Sequence, residues 1–322
     1  MSVLITGVAG FVGVNLARAF INKGARVFGV DNLSRGTLVN IADLLTDPLF
    51  SFIKLDMTDS EALLNACKMS HRAEAVTECW HLVANSDIPA GVSDAAVDLN
   101  DTFMTTYSLL GVMKQLGIKK LAFASSSAIY GDHGTTPLVE DLGPLLPISN
   151  YGAMKLASEA AISAAVESFL DKAWIFRFPN VIGVPATHGV ILDFVRKLKK
   201  TPQQLQVLGD GTQQKGYLHV EELVDAMFWI RDHAADKRAL YNIGADDEGV
   251  SVKFIAEETI RVAQPTARIE FGQGNRGWIG DVPRFVYSIE RLKLLGWHPK
   301  LKSAQAVQKA IIQIYLQESR VK

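Results

Sequence analysis

The chain has little cysteine and no long hydrophobic run, and each absence excludes a class of protein. Cys67 and Cys79 are the only cysteines among 322 residues, so the sequence lacks a disulfide framework, a zinc knuckle and a redox C-x-x-C motif. We predict that both are small, buried hydrophobic residues. No window approaches the roughly 18 uninterrupted apolar residues that a membrane-spanning helix needs.

An excess of one charge sign is also missing. The 33 Lys+Arg and 34 Asp+Glu give a formal net charge of −1, which offers no basic surface to nucleic acid or to an anionic membrane. The 7 histidines show no metal-ligand spacing, so we predict no metal site. The glycine-broken start lacks the basic region of a signal peptide, and we expect a cytoplasmic protein.

What is present is a regular alternation of short β-branched runs with longer amphipathic stretches. This alternation is typical of βαβ units and predicts an α/β fold with a doubly wound parallel sheet. The predicted strands are 3–6, 26–30, 50–55, 78–82, 120–124 and 173–177, and the predicted helices are 12–23, 61–69, 101–116 and 151–170. Beyond residue 180, glycine and proline interrupt the pattern, which predicts a smaller α+β domain ending in a helix over 303–319.

The first predicted strand runs into a glycine-rich turn. Gly7, Gly10 and Gly13 have the spacing G-x-x-G-x-x-G at the start of a helix, where backbone amides can approach a pyrophosphate. Asp31 follows the second strand, 24 residues after Gly7, where a carboxylate accepts hydrogen bonds from a ribose and repels a 2′-phosphate. The combination predicts a Rossmann-type site for NAD rather than NADP. Arg35 favours the opposite preference, because an arginine nearby can hold a 2′-phosphate.

The candidate catalytic residues follow the fifth predicted strand. Ser125, Ser126 and Ser127 lie at its carboxyl end, where open α/β sheets bind their ligands. Tyr151 and Lys155 form a Y-x-x-x-K pair on one face of a predicted helix. A tyrosine hydroxyl is a poor base at its unperturbed pKa of about 10, but an adjacent ammonium favours the phenolate.

Together these motifs resemble the extended short-chain dehydrogenase/reductase family, within which the chain is most similar to UDP-glucose (UDP-galactose) 4-epimerases. The similarity continues in the second half through R-F-P-N-V-I-G at 177–183 and L-G-D-G-T-Q-Q-K-G-Y at 208–217. The resemblance implies an NAD-binding Rossmann domain over 1–178, with a return segment near 217–245, and a mainly nucleotide-sugar-binding domain over 179–322. It also implies a homodimer that is formed through the two long helices before and after the fifth strand.

The resemblance also assigns residues to ligands. The residues implied to bind NAD are Gly7, Gly10, Phe11, Val12, Gly13, Asp31, Asn32, Ser34, Arg35, Asp56, Met57, Leu82, Ala84, Ser125, Tyr151 and Lys155. The residues implied to bind the nucleotide-sugar are Ser126, Ser127, Asn180, Lys215, Tyr217, Arg276 and Asp281. The implied catalytic residues are Ser126, Tyr151 and Lys155.

Three residues depart from the family pattern. Lys215 stands where arginine is usual, and we expect a weaker hold on the substrate diphosphate. Thr102 replaces a common asparagine on the cofactor side, and Ser86 replaces a frequent lysine near the pyrophosphate. These two departures bear on how tightly NAD is retained.

The implied reaction is a C4 epimerisation. Tyr151 would take the proton of the sugar 4-hydroxyl, Ser126 would hydrogen-bond the same oxygen, and hydride would pass to NAD⁺ and return to the opposite face of a 4-keto sugar. A 4,6-dehydratase is disfavoured, because Ser127-Ala128 stand where that branch carries an Asp-Glu pair. A nucleotide-sugar 4-dehydrogenase or 4-ketoreductase and a non-catalytic dinucleotide-binding sensor remain open. Phe285 favours glucose and galactose over their N-acetyl forms, since its bulk limits room beside C2.

Overall fold

The chain divides into two compact units in the computed structural model, which describes residues 1–274 and 284–320. The first unit consists of residues 1–131, 144–177 and 227–241, and the second of residues 132–143, 178–226 and 242–322. In the described part of the chain, no helix is long and apolar enough to cross a membrane.

Thirteen strands are present in the described residues. The first six form a seven-stranded sheet together with the eleventh. The strands are β1 Ser2–Thr6, β2 Arg26–Asp31, β3 Phe50–Lys54, β4 Val76–His81, β5 Lys120–Ser126, β6 Lys172–Phe178, β7 Asn180–Ile182, β8 Gln204–Val207, β9 Gln214–Lys215, β10 Tyr217–His219, β11 Arg238–Asn242, β12 Val250–Ser251 and β13 Arg268–Phe271. The strands predicted from the sequence all exist, with ends that differ by at most two residues.

Eleven α-helices occupy the intervals between these strands in the same residues. They are α1 Phe11–Asn22, α2 Ser60–Ala73, α3 Ile88–Ser93, α4 Ala95–Asp98, α5 Thr105–Leu116, α6 Asn150–Ser168, α7 Val190–Lys200, α8 Val220–His233, α9 Val252–Ala263, α10 Glu290–Leu294 and α11 Ser303–Arg320. The predicted helix over 101–116 is wrong in its first turn, since a π-helical turn over Leu99–Met104 leads into α5. The predictions also missed the short helices α3 and α4, which lack an apolar period long enough to recognise.

The seven-stranded sheet lies in the first unit and has the order β11-β6-β5-β4-β1-β2-β3. The recorded pairs β1–β2, β2–β3, β1–β4 and β4–β5 are all parallel. Carboxyl ends of parallel strands meet at one edge of a sheet, so Thr6, Asp31, His81 and Ser126 end their strands along the same edge. This order confirms the predicted doubly wound, Rossmann-like fold.

Both faces of the sheet are covered by helices. On one face, Cys79 of β4 packs in a core with Cys67 of α2 and residues of α5 and α6, so both cysteines are buried and free as predicted. On the other face, Trp80 stacks on Phe176 of β6 and meets Phe20 of α1 edge-on, with ring centroids 5.9 Å and 5.2 Å apart. Adjacent residues of β4 therefore serve opposite cores, as the two-residue period of a strand requires.

The second unit has its own core and only short strand pairs. Its apolar residues come mainly from α7, α9 and α11, and include Ile191, Phe194, Ile255 and Ile311. The pairs β7–β10, β8–β13 and β9–β12 each form a two-stranded sheet.

The homodimer stays a prediction. Tyr107 on α5 is 62% exposed in the single chain, on one of the two helices that the prediction assigns to the contact.

Candidate active site

The glycine-rich turn joins β1 to α1 with a geometry that only glycine permits at two positions. Gly7 has a φ of +72°, and its amide donates to the Val30 carbonyl at 2.8 Å. A Cβ on Gly13 would lie 2.1 Å from the Gly7 carbonyl oxygen, so the helix and the turn touch backbone to backbone. The turn is therefore drawn tightly against the end of β1.

The start of α1 is open to an anion. Gly10 is its N-cap. In the described residues, no side chain caps the first-turn amides, which start with those of Phe11 and Val12. Unpartnered amides and the positive end of a helix dipole attract phosphate. The turn formed by Gly7, Gly10 and Gly13 thus fits the pyrophosphate of a dinucleotide.

Asp31 ends β2 beside that turn. Its Oδ2 accepts from the Ala9 amide at 3.0 Å and its Oδ1 accepts from the Leu33 amide at 2.8 Å. Burial raises the pKa of this carboxyl, while the two backbone hydrogen bonds oppose the shift. Each oxygen keeps a second lone pair, so the fixed carboxylate can still accept from ribose hydroxyls.

The loop after β2 meets the loop after β3. Asn32 Nδ2 lies 3.4 Å from Asp56 Oδ2, and Asn32 Oδ1 accepts from the Ser34 amide at 3.0 Å. Hydrogen bonds from Thr58 hold the pKa of Asp56 below its usual range. These loops bring Asn32, Ser34 and Asp56 together next to Asp31.

The other residues expected on the cofactor line the same edge of the sheet. Met57 is buried, and the Leu82 amide donates to the Thr6 carbonyl at 3.2 Å, which places Leu82 and the following Ala84 just beyond β4. Ser125 is buried near the end of β5. Arg35 Nη2 donates to Asp87 Oδ2 at 2.9 Å, which directs the guanidinium towards the loop after β4.

Ser126, Tyr151 and Lys155 come together where β5 ends and α6 begins. The Ser126 hydroxyl is near enough to the Tyr151 phenol to act on its pKa, and the Lys155 Nζ lies 5.9 Å from the centre of the Tyr151 ring. Lys155 is fully buried and donates to the Ala124 carbonyl at 2.5 Å. Ser127, the next residue, starts a 3-10 turn that Ser126 caps through the Ala128 amide.

Burial perturbs both titratable members of this group. Desolvation raises the pKa of Tyr151 to about 12, although the hydrogen bond with Ser126 acts in the opposite direction. Desolvation likewise lowers the pKa of Lys155 to about 7, against the attraction of Glu159. Perturbed titratable groups that lie together at a sheet's carboxyl edge are typical of acid–base sites.

Sequence reasoning missed a buried network behind Lys155. Glu159 accepts from Arg177 through both carboxylate oxygens, at 3.0 Å and 2.7 Å, and also from the Ser125 hydroxyl. Arg177 donates in turn to the Tyr130 hydroxyl at 3.0 Å. A signal was available, because Glu159 lies four residues after Lys155 on the same face of α6.

His81 forms a second buried network. Its Nδ1 lies 2.7 Å from Thr6 Oγ1 and its Nε2 lies 3.0 Å from Thr106 Oγ1, so side-chain hydroxyls hold the ring at both nitrogens. Desolvation, reinforced by the charge of Lys155, lowers the pKa of His81 to about 3. The ring therefore stays neutral and connects the end of β1 to α5.

The second unit brings together three of the residues expected on the substrate. Asn180 of β7 is in register with Tyr217 of β10, and Asn180 Nδ2 donates to the Gly216 carbonyl at 3.3 Å. Lys215 precedes Gly216 in β9, which pairs with β12. The remaining two expected residues, Arg276 and Asp281, lie outside the described residues.

Comparison with known proteins agrees with this geometry. The sequence pattern of the NAD dependent epimerase/dehydratase family matches residues 3–244. UDP-glucuronate 4-epimerase of Thermodesulfobacterium geofontis is 26% identical over 315 residues, covering 96% of this chain and 94% of that protein. UDP-glucose 4-epimerase of Azospirillum brasilense is 29% identical over 318 residues, covering 92% of this chain and 87% of that protein.

A solved structure shows the same fold over almost the whole chain. UDP-glucose 4-epimerase of Thermus thermophilus in complex with NAD superposes with a TM-score of 0.84 at 25% identity, covering 98% of this chain and 99% of that one. The resemblance inferred from the motifs is thereby confirmed at the level of the family. The chain belongs to the NAD dependent epimerase/dehydratase family, and its cofactor is NAD.

Proposed function

We propose that this chain is a nucleotide-sugar 4-epimerase that interconverts UDP-glucose and UDP-galactose through a transient 4-keto sugar. The observation that carries the proposal is the grouping of Ser126, Tyr151 and Lys155 where β5 ends and α6 begins, with the Lys155 amine 5.9 Å from the centre of the Tyr151 ring. The names of the relatives described above add support, because all of them are 4-epimerases although their sugars differ.

Tyr151 is the proton carrier in this proposal. Its phenolate takes the proton of the sugar 4-hydroxyl, and Ser126 donates a hydrogen bond to the same oxygen as its charge develops. Bound NAD would supply the reversible hydride acceptor for C4. Return of hydride to the other face of the sugar, with return of the proton by Tyr151, gives the C4 epimer.

Lys155 provides the charge that this step needs. A phenol with a pKa of about 12 is almost fully protonated at neutral pH, so the isolated side chain would be a weak base. An ammonium on Lys155, 5.9 Å from the centre of the Tyr151 ring, would stabilise the phenolate, and a nicotinamide cation would add to the effect. The Ser126 hydrogen bond stabilises the phenolate as well.

The residues after Ser126 favour epimerisation over elimination. Ser127 and Ala128 form the following turn, and neither side chain is an acid or base suited to removing a proton from carbon. A 4-keto sugar in this site therefore meets no acid–base pair at these two positions that could start dehydration, and return of the hydride is the remaining reaction.

The sugar-nucleotide itself would be bound by the second unit. Lys215, Asn180 and Tyr217 supply a cation, an amide and a phenol on adjacent short strands, which suits a diphosphate and a sugar. We assign Arg276 and Asp281 to the same ligand on the sequence pattern alone. Phe285 packs edge-on against Tyr287 at 6.1 Å, and its bulk supports hexoses without a C2 acetamido group.

The test is to incubate the purified protein, without added cofactor, with UDP-galactose, UDP-N-acetylgalactosamine and UDP-glucuronate in separate samples. Proton NMR follows the anomeric signals of each C4 epimer, and a Tyr151→Phe sample is the control. We expect conversion of UDP-galactose to UDP-glucose, little conversion of the acetamido sugar, and none by the variant.

Other outcomes replace the proposal with a named alternative. Conversion of UDP-glucuronate alone would keep the C4 chemistry and change the sugar. NADH formed from added NAD⁺ in proportion to substrate, without any epimer, would identify a 4-dehydrogenase. Absence of both reactions with all three substrates would favour a dinucleotide-binding sensor.

A further inference from the structure

An ion pair joins two loops on either side of the glycine-rich turn. Arg35, in the loop after β2, donates from Nη2 to Asp87 Oδ2 at 2.9 Å, and Asp87 lies in the loop after β4. In the sheet, β1 lies between β2 and β4. The pair therefore crosses over the carboxyl end of β1, where the turn that begins at Gly7 fits a pyrophosphate.

The Asp87 end of this bridge is firmly held. Asn85 is buried, accepts from the Asp87 amide and donates to the Asp87 carbonyl, each at 2.9 Å. Asp87 Oδ1 accepts from the Ala90 amide at 3.1 Å, which caps α3 and leaves Oδ2 for Arg35. Asn85 is fixed in turn by Asp98 Oδ1 at 2.9 Å. These hydrogen bonds therefore fix the orientation of the Asp87 carboxylate.

The Arg35 end rests on the turn itself. A Cβ on Gly36 would lie 2.7 Å from the Ala9 carbonyl carbon, so the backbone next to Arg35 packs directly on the glycine-rich turn. Within the described residues, the guanidinium makes its recorded side-chain hydrogen bond through Nη2 only. A guanidinium has five N–H donors, so most of them remain available to phosphate oxygens.

Arg35 also supplies a charge that the neighbouring sequence lacks. The turn from Gly7 to Gly13 contains no lysine or arginine, and Ser86, next to Asp87, is uncharged. Acidic groups surround the edge: burial and the charge of Asp56 raise the pKa of Asp101, whereas Arg35 lowers it. A pyrophosphate entering this edge meets Arg35 as the cation that offsets those carboxylates.

We propose that Asp87 is a positioning residue that holds Arg35 across the glycine-rich turn, so that the guanidinium grips the pyrophosphate of NAD and slows its release. An exposed ion pair alone contributes little to folding, because water and salt screen it. Its effect should therefore appear in cofactor release and not in stability. The proposal concerns NAD alone and holds whichever sugar the enzyme uses.

The experiment measures how fast bound NADH leaves. The protein is loaded with NADH, excess NAD⁺ is added by stopped flow, and the fluorescence decay gives the release rate. Asp87→Asn keeps the oxygen that caps α3 but removes the charge facing Arg35, and Arg35→Gln removes the guanidinium. Asp171→Asn is the matched control, since it breaks the exposed Lys119–Asp171 pair, 3.7 Å long, at the start of β6.

We expect release to be about tenfold faster in Arg35→Gln, a loss comparable to one charge-assisted contact. Asp87→Asn should release about threefold faster, and the double variant should match Arg35→Gln, because Asp87 acts through Arg35. Asp171→Asn should behave as wild type, and thermal midpoints without cofactor should be unchanged in all variants. Rising salt should speed release in wild type more than in Arg35→Gln.

Three results would overturn the proposal. Wild-type release from Arg35→Gln would mean that the guanidinium does not contact the pyrophosphate. Slower release from Asp87→Asn would identify Asp87 as a charge that repels the cofactor. Independent, multiplying effects of the two substitutions would show that Asp87 does not position Arg35.

Discussion

The two units of this chain are built by different rules. In the first, strands of five to seven residues alternate with helices of up to 19 residues and form one seven-stranded sheet. In the second, paired strands have two to four residues and join distant segments, as when Gln204 of β8 pairs with Arg268 of β13. Long periodic elements therefore build the first unit, whereas short strand pairs build the second.

In the second unit, hydrogen bonds of single side chains hold separate segments together, which is the role of the parallel sheet in the first unit. The Asn242 amide group donates to the Leu138 carbonyl at 2.9 Å and to the Ser288 carbonyl at 3.0 Å, while its backbone amide donates to Glu140. One asparagine at the end of β11 thus ties together the segments around Leu138 and Ser288, which a single β-bridge between Leu138 and Tyr287 also joins. The comparison teaches that regular backbone anchors the candidate catalytic residues of the first unit, whereas single polar residues anchor the loops of the second.

The comparison is tested most strongly at Tyr151. We expect Tyr151→Phe to lower kcat about a thousandfold, because the ring is kept while the proton carrier is lost. Steady-state rates with UDP-galactose measure this effect. Tyr287→Phe in the second unit is the control, since its hydroxyl donates to Asn242 at 3.1 Å, and its kcat should stay near wild type. A Tyr151→Phe rate within tenfold of wild type would move the acid–base role elsewhere.

Much of the first unit was predictable because its signals are local. The glycine spacing, Asp31 at the end of β2 and the Y-x-x-x-K pair each lie within one strand or one helix, and the structure brings Ser126, Tyr151 and Lys155 together. Partners outside such windows were not predictable. The bridge between Arg35 and Asp87 joins residues 52 positions apart, and it depends on strand order rather than on spacing.

The two units also differ in how deeply their ion pairs are buried. Glu159 and Arg177 are at most 8% exposed in the first unit, whereas Arg196 is 57% exposed beside Glu318 in the second. We expect Glu159→Gln to lower the free energy of unfolding by about 3 kcal/mol, because it leaves a buried guanidinium without its charge partner. Glu318→Gln should cost about 1 kcal/mol or less. Urea unfolding measures both.

A second variant separates loss of the pair from loss of packing. Glu159→Gln combined with Arg177→Met removes the unpaired charge, so the double variant should be more stable than Glu159→Gln alone. If Glu159→Gln costs no more than Glu318→Gln, burial does not set the worth of these pairs, and this contrast between the units fails.

The acid sensitivity of the first unit should trace partly to His81. Its pKa of about 3 lies below the ordinary value of 6.5, so the unfolded chain binds a proton between these values and the folded chain does not. Stability is therefore lost as pH falls from about 6.5 towards 3. We expect the slope of unfolding free energy between pH 6 and 4 to be about 1 kcal/mol per pH unit shallower in His81→Gln.

His219 in the second unit is the matched histidine. Its pKa is also lowered by burial, but a hydrogen bond with Gln313 opposes the shift. His219→Gln should therefore change the slope less than His81→Gln does. Equal slopes in wild type and His81→Gln would show that His81 accepts its proton in the folded protein.

The smallest effect is expected at Lys215, where the ligand contacts of the second unit can be strengthened. Lys215→Arg replaces a point charge by a planar fork that can bind phosphate oxygens in pairs, so KM for UDP-galactose should fall about threefold with kcat unchanged. Lys253→Arg is the control, because that lysine is exposed and lies 3.9 Å from Glu257 on α9. A changed kcat with constant KM would place Lys215 in the chemical step, and a raised KM would mean that its strand is fitted to lysine. The β9–β12 pairing involves only two residue pairs, so Lys215→Arg can be accommodated only if that pairing is kept.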